Sequence, residues 1–458
     1  MKTHMLIALL FLALTGCSSM PRLSLPQSTT ETAFSGSLAQ MNDPAFWQGN
    51  AASIWKRLQY IPRSQLEAAQ ATLGNTDKSA WVQLALISKR YSLNTSQLVQ
   101  ELIAWRNQHS SHPGATLFPD NATLSHLAAV TPQHIALLLP LTGNLASSGQ
   151  AVRDGFLSAY YSGEKRMLSF YDTSQTTSMP ALYQQAIAKG ADFVIGPLTK
   201  SEVQQLSSVG TFPVPTLALN YTTVYFGSLP TNFYEYGLAP EDESEQIADK
   251  AKQAGLSHAL IIAPQTPWGQ RTASAFISRW RALGGSIQDT WYFRPRITDF
   301  NQEVAHLLQV DPQADRKLMQ KDNNKTTLEK QRRRDFDVIF LFAQPEFARA
   351  IVPLLRYYYA DNIPVYATSA VYTGQPNPAK DMDLNGVTVC DLPWTLQAKG
   401  DNRLYALGRD AYLISQSFTR LTQLPQFPLY GATGALTLTS KQQIHRRLPC
   451  NTVRAGMI

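Results

Sequence analysis

Three cysteines, two histidines three residues apart and the Ser-x-x-Lys tetrad at 162–165 are the groups in this chain whose type and spacing are weighed first for chemistry. The tetrad, Ser162-Gly163-Glu164-Lys165, has the spacing of a serine nucleophile served by a lysine. Such a site also needs a downstream Lys-Thr-Gly, and none follows; Ser92-Leu93-Asn94, a Ser-x-Asn element, lies upstream in the wrong order. His109 and His112 would share a helix face as metal ligands, but Pro113 ends the helix there, so no metal site is expected. The chain has no phosphate-cradling Gly-Lys-Ser/Thr loop, no Cys pair at metal spacing, no His-Glu-x-x-His and no Gly-x-Ser-x-Gly. The expectation is a protein that is not an enzyme and carries no cofactor. One binding chemistry stays open. Gly196-Pro197-Leu198-Thr199 opens a helix whose N-H groups, with Thr199, Ser201 and Asn220 after the next strand, could hold a carboxylate in a cleft.

Cys17 is the sharper feature. Lys2 and His4 precede an apolar run from Met5 to Leu14, and Leu14-Thr15-Gly16 leads into Cys17. Ten apolar residues are too few to span a bilayer as a helix, which takes about 20. A basic start, a short apolar run and small residues before a Cys read as a lipoprotein signal over 1–16, with Cys17 acylated after cleavage. Several acyl chains anchor a protein stably where one does not. Ser18, rather than Asp, follows the cysteine, which points to the periplasmic face of the outer membrane. Residues 17–42, rich in Ser, Thr, Pro and Gln, read as a flexible tether that stretches at most roughly 85 Å. Cys390 and Cys450 remain, an even pair in an oxidising compartment; they either bond or stay as two buried thiols.

The chain has 458 residues, 44% of them hydrophobic, with 40 Lys+Arg against 33 Asp+Glu. That composition excludes a disordered chain and fills at least two cores. The net charge of +7 suggests nucleic acid only until it is mapped. The stretch Asp315 to Asp335 holds eight cations against four acids, and the tail from Leu436 holds four cations and no acid. The rest is mildly acidic, so no nucleic-acid partner is expected. An insert of this length inside a compact domain is functional or mobile. Lys330, Arg332, Arg333 and Arg334 are the candidates for steering an acidic partner or meeting anionic cell-wall polymer such as peptidoglycan.

These residues must be positioned by two kinds of element. Over 43–118, apolar stripes at Ile54, Trp55 and Leu58, at Leu66, Ala69 and Leu73, at Trp81, Leu84 and Ala85, and at Leu98, Leu102 and Trp105 predict four short helices in two hairpins. Asn94 with Gln97 opens the last of them as a capping box. From His134 onward, continuous apolar strands alternate with amphipathic helices, which predicts a parallel sheet covered on both faces. The pattern restarts after Pro240. The fold class is α/β: a two-lobed body over 132–458, preceded by a small all-α domain.

Resemblance adds to this reading. Pro140-Leu141-Thr142-Gly143, Gly149 and Arg153-Asp154-Gly155-Phe156 resemble the opening of type I periplasmic binding proteins. Ile195-Gly196-Pro197-Leu198, Pro364 to Ser369, Gly374-Gln375-Pro376-Asn377-Pro378, Asp383-Leu384-Asn385-Gly386 and Pro393-Trp394 resemble the LpoA family more closely. Members of that family are outer-membrane lipoproteins that activate penicillin-binding proteins. The resemblance implies a TPR-like helical domain, a periplasmic-binding-protein-like body and a class A penicillin-binding protein, a bifunctional peptidoglycan synthase, as partner. It implies stimulated transpeptidase activity and a role in cell-wall biogenesis and cell shape. It also implies three crossings between lobes, near 237, 370 and 425, giving lobe 1 as about 132–237 and 370–425, and lobe 2 as about 238–369 and 426–458. The helical part, about 90 residues, is much shorter than in enterobacterial members and is expected to lean on the body. The alternative function is a lipid-anchored receptor for an amino-acid-like solute.

Overall fold

The computed structural model describes residues 38–458 apart from 75, 128–130, 164, 223–227, 298, 315–316 and 318–331. Cys17 and Lys330 lie outside the described residues. Helices α1 (Ala51–Tyr60), α2 (Arg63–Thr72), α3 (Asp77–Arg90), α4 (Thr95–Gln108) and α5 (Asn121–Leu127) form the helical layer. The side chains of Asn50, Thr76 and Asn94 accept from backbone N-H groups three residues on, which starts α1, α3 and α4. Asp43 and Pro44 open a 3-10 turn, Pro44–Trp47, and the first α-helix begins only at Ala51. The stripes at Leu58, Leu66, Leu84, Leu102 and Trp105 close into one core that also takes in Leu424 and Phe427, some 300 residues away in the chain.

The body holds two sheets. In the first, β1 (His134–Leu139), β2 (Met167–Asp172), β3 (Phe193–Ile195), β4 (Thr216–Ala218) and β5 (Phe233–Glu235) run parallel in the order 2-1-3-4-5. The second contains β6 (His258–Pro264), β7 (Ser286–Phe293), β8 (Val338–Leu341), β9 (Val365–Ala367), β10 (Val387–Cys390) and β14 (Cys450–Thr452), ordered 14-10-9-8-6-7. Its edge strand β14 is antiparallel to β10. Between them lies a small antiparallel sheet of β11 (Leu429–Tyr430), β12 (Ala435–Leu438) and β13 (Ile444–Arg447). Helices α6 (Ala146–Tyr160), α7 (Met179–Ala188) and α8 (Lys200–Ser207) accompany the first sheet. The second is accompanied by α9 (Pro240–Gln253), α10 (Pro267–Ala282), α11 (Asn301–Leu307) and the helix Pro345–Tyr357. The central strands β1, β3, β4 and β8 are buried at every position, as parallel strands covered on both faces must be.

The first crossing lies between Glu235 and Pro240. The other two depart from positions 370 and 425. β10 is hydrogen-bonded to β9 in the second sheet, so the return to the first lobe comes after Cys390 and not near 370, and 370–390 belongs to lobe 2. The last crossing lies between β13 and β14 rather than near 425, because the small hinge sheet is inserted first. In between, the helix Arg403–Gln416 completes lobe 1 by crossing α6 at two glycines. A Cβ on Gly155 would sit 1.9 Å from the Tyr405 carbonyl oxygen, and one on Gly408 1.9 Å from that of Val152. This reciprocal contact explains the glycine in Arg153-Asp154-Gly155-Phe156. Gly408→Val should cost about 3 kcal/mol, because backbone has to move on both helices; urea unfolding should show it, and an unchanged midpoint would disprove the contact.

Candidate functional site

At the strand ends of lobe 1, Thr199 is the N-cap of α8. Its Oγ1 accepts from Glu202 N at 3.3 Å, and Glu202 Oε2 in turn accepts from Thr199 N at 3.1 Å and from Thr199 Oγ1 at 2.8 Å. Ser201 Oγ lies 3.2 Å from Thr199 Oγ1. Asn220 Nδ2 donates to the Leu198 carbonyl at 3.0 Å, and its Oδ1 accepts from Tyr221 N at 3.0 Å. The three predicted contacts do come together, but the carboxylate at the helix N-terminus is the protein's own Glu202. The signal was in the sequence as Thr199-Lys200-Ser201-Glu202, a capping box.

The hinge is tied by buried polar groups. Tyr221 OH donates to Asp242 Oδ2 at 3.0 Å, joining a strand end of lobe 1 to α9 of lobe 2. Burial pushes the Tyr221 hydroxyl well above the usual tyrosine range, and the charge of Asp242 adds to it. Ser369, just past β9, donates from N and Oγ to Glu243 Oε2 at 3.1 and 2.7 Å. Burial raises the Glu243 carboxyl above its ordinary value, while Arg446, whose guanidinium is 3.8 Å away, opposes the rise. Asp391 and Arg403 pair at 2.6 Å at the second crossing. Asp410 accepts from Ala432 N, Thr433 N and Thr433 Oγ1, each at 2.7 Å. Thr433 Oγ1 also bonds Tyr236 OH at 2.6 Å. These are acceptors and donors matched to one another within and between the segments that meet at the hinge, an arrangement that fixes lobe geometry and provides no nucleophile with an adjacent free base.

Cys390 and Cys450 are bonded, with an S–S distance of 1.99 Å, and so join the last strand before the second crossing to the first strand after the third. His112 is committed to the helical layer. Its Nδ1 accepts from Gly114 N at 3.0 Å, its Nε2 donates to the Asp77 carbonyl at 3.1 Å, and its ring lies edge-on to Trp81 and Trp105. Ser162 Oγ donates back to the Ser158 carbonyl at 3.0 Å.

Of the insert, the described cations divide sharply. Arg332 is buried; its Nε donates to the Tyr359 carbonyl at 2.6 Å and its terminal nitrogen to Asn362 Oδ1 at 2.8 Å, with the guanidinium over Phe336. Arg333 bridges Asp335 at 2.7 Å and Asp289 at 3.0 Å with its side chain 7% exposed. Arg332 thus holds the turn after the helix Pro345–Tyr357, and Arg333 ties the start of β8 to β7, so both are spent inside lobe 2 rather than facing a partner. Arg334 is exposed.

A contact region with no local sequence signal joins the helical layer to the hinge. Trp55 Nε1 donates to the Gln426 carbonyl at 2.7 Å, and the Trp55 and Phe118 rings sit 4.9 and 5.6 Å from Phe427. Lys89 Nζ donates to the Gln59 carbonyl at 3.0 Å and to Tyr430 OH at 2.9 Å. Arg447 donates to the same carbonyl at 3.0 Å and lies over the Tyr60 ring. The Arg420 guanidinium reaches the carbonyls of Ser92 and Pro428. Beside this junction is a cavity of about 1540 Å³, walled by α1, α9, the hinge sheet and residues 393–399.

No helix among the described residues is long and apolar enough to cross a membrane. Residues 37–456 match the family described as "LppC putative lipoprotein". The penicillin-binding protein activator LpoA of Photobacterium profundum is 27% identical over 428 residues, covering 88% of this chain and 69% of that protein. The crystal structure of full-length LpoA from Haemophilus influenzae superposes with a TM-score of 0.58 at 26% identity, covering 89% of this chain and 73% of that one. The C-domain of Haemophilus influenzae LpoA, described as a regulator of PBP1A, matches with a TM-score of 0.54 at 25% identity over 71% of this chain and 98% of its own. The two-lobed body with its helical preface is thus the LpoA architecture, and the chain belongs to the LppC lipoprotein family.

Proposed function

We propose that this chain binds a class A penicillin-binding protein and stimulates its transpeptidase activity, acting as a regulator and not as an enzyme. It does so from the periplasmic face of the outer membrane, held there by acyl chains on Cys17. The observation that carries the reading is the likeness, in sequence and in both structural parts, to proteins named as penicillin-binding protein activators. Activation needs only that the chain bind the working conformation of the synthase more tightly than the idle one, and tenfold preference shifts that equilibrium by about 1.4 kcal/mol. The receptor alternative loses its support at Thr199, because Glu202 stands where a solute carboxylate would have to sit. Incubating the synthase with lipid II, with and without the purified chain, tests the proposal: cross-linked product should rise, and no change would refute it.

Among the insert cations, Arg334, which is exposed, keeps the steering role and the contact with peptidoglycan. Arg334→Glu should slow association with the synthase by about threefold at low salt and leave dissociation unchanged. Stopped-flow binding at two ionic strengths measures it, and equal rates would remove the insert from the interface.

A further inference from the structure

The cavity beside the junction is larger than the roughly 300–1,000 Å³ of a small-molecule pocket, at about 1540 Å³, and it is walled by the helical layer, the hinge and lobe 2 together. We propose that this trough is the docking site for an acidic, extended peptide segment of the synthase, a refinement that rests on the function proposed above.

Charge is the first argument. Seven lysines and arginines line the trough against three acids. Two of the acids are already engaged: Asp410 holds the backbone of Ala432 and Thr433, and Asp249 pairs with Arg279 at 2.6 Å. Lys56, Lys250 and Lys399 make no ion pair among the described residues and stand on different walls: α1, α9 and the turn after residue 396. Glu245 is the lining acid left without an ion pair, so the excess is cationic. An occupant with several carboxylates satisfies that excess; a neutral or basic one leaves cations facing one another.

The aromatic lining then separates a peptide from a glycan. Sugar rings bind by stacking on open aromatic faces, and here those faces are taken. Tyr60 lies under the Arg447 guanidinium at 4.6 Å, and Tyr430 faces Lys89 at 4.7 Å. Trp394 lies between Arg409 at 5.2 Å and the Tyr405 ring at 5.4 Å, and Trp55 is buried against Phe427. The recognition chemistry left free is cationic. A segment seated there touches both domains at once, so its binding depends on their mutual placement.

The test measures binding of the full chain in detergent to the purified synthase at low and high salt. Lys56→Glu/Lys250→Glu/Lys399→Glu is compared with the wild type and with Lys165→Glu, an exposed cation on lobe 1 outside the trough. Fluorescein-labelled Glu-Ala repeat peptide and a disaccharide pentapeptide serve as probes. The expected result is binding at least about tenfold weaker for the triple variant at low salt, an unchanged melting curve, competition by the Glu-Ala peptide and wild-type behaviour for Lys165→Glu. Should the half-buried Lys250 position impair folding, Lys56→Glu/Lys399→Glu alone carries the comparison. If the wild type activates the synthase and the triple variant binds as well as it does, the docking site is elsewhere while the proposed function stands. If the disaccharide pentapeptide binds and only its binding is lost in the variant, the trough is a glycan site and the proposal is wrong. A wild type that neither binds nor activates the synthase removes the function and this inference together.

Discussion

Raising the pH from about 7 to about 10 is expected to stabilise the fold, by up to about 4 kcal/mol, through Lys89 alone. Burial, helped by the nearby charge of Arg447, pushes the Lys89 ammonium down to about 7. An unfolded lysine holds its proton to about 10.4. Across that window the unfolded chain binds more protons than the folded one, so each step up in pH favours folding until both forms are neutral. The upper edge is set by tyrosines, since Tyr430 is raised by burial and the unfolded chain gains by ionising first. Lys89→Met should remove the rise without leaving raw polar groups. The Gln59 carbonyl still accepts from Arg447, and Tyr430 OH still donates to Gln59 Oε1 at 2.8 Å. Urea midpoints at four pH values for both proteins decide the matter; parallel curves would show that Lys89 stays charged in the fold.

Phe427→Ala is expected to destabilise the protein by about 4 kcal/mol and to do so unevenly. Phe427 is wholly buried, but in the core of the helical layer and not in that of its own lobe. Five short helices cannot bury a sufficient core unaided, and Leu424 and Phe427 supply part of what is missing. Truncation opens a cavity between Trp55 and Phe118 in the junction of layer and hinge. The thermal transition should split, with the helical layer melting first, and chymotrypsin should cut within 43–127 before it cuts the body. Phe427→Leu should retain a single transition, and Tyr357→Ala, at an exposed position, should match the wild type. A single transition for Phe427→Ala, shifted by less than 1 kcal/mol, would mean the layer folds by itself.

Much of this fold was legible in the sequence where local pattern and final environment agree. From His134 onward apolar strands and amphipathic helices alternate as the pattern predicts, and the helical stripes close into the core they implied. Legibility failed after Ala367. β11 to β14 are two to four residues long and partly exposed, so they carry no alternating signal. The helix Arg403–Gln416 is buried on several faces and contains Gly408 and Asp410, which read locally as breakers. Only the approach of α6 and the N-H groups of Ala432 and Thr433 make them fit. The same limit hid the junction, where partners such as Lys89 and Tyr430 lie 341 residues apart. Thr199 differs: its partner Glu202 is three residues on, but a free helix N-terminus and one already capped by its own carboxylate share the same short sequence pattern. Arg332 failed because a run of charge looks the same whether its guanidinium groups face solvent or cap buried carbonyls.

The disulfide between Cys390 and Cys450 spans a sequence separation of 60 and begins and ends in lobe 2. The whole excursion through lobe 1 and the hinge sheet is therefore a closed covalent ring. A protease that cuts once anywhere in 391–449 separates no fragment from the protein. The clipped chain keeps its mass on a non-reducing gel and falls into two pieces only after reduction, so damage at the hinge leaves the helix Arg403–Gln416 tethered at one end to the body it completes.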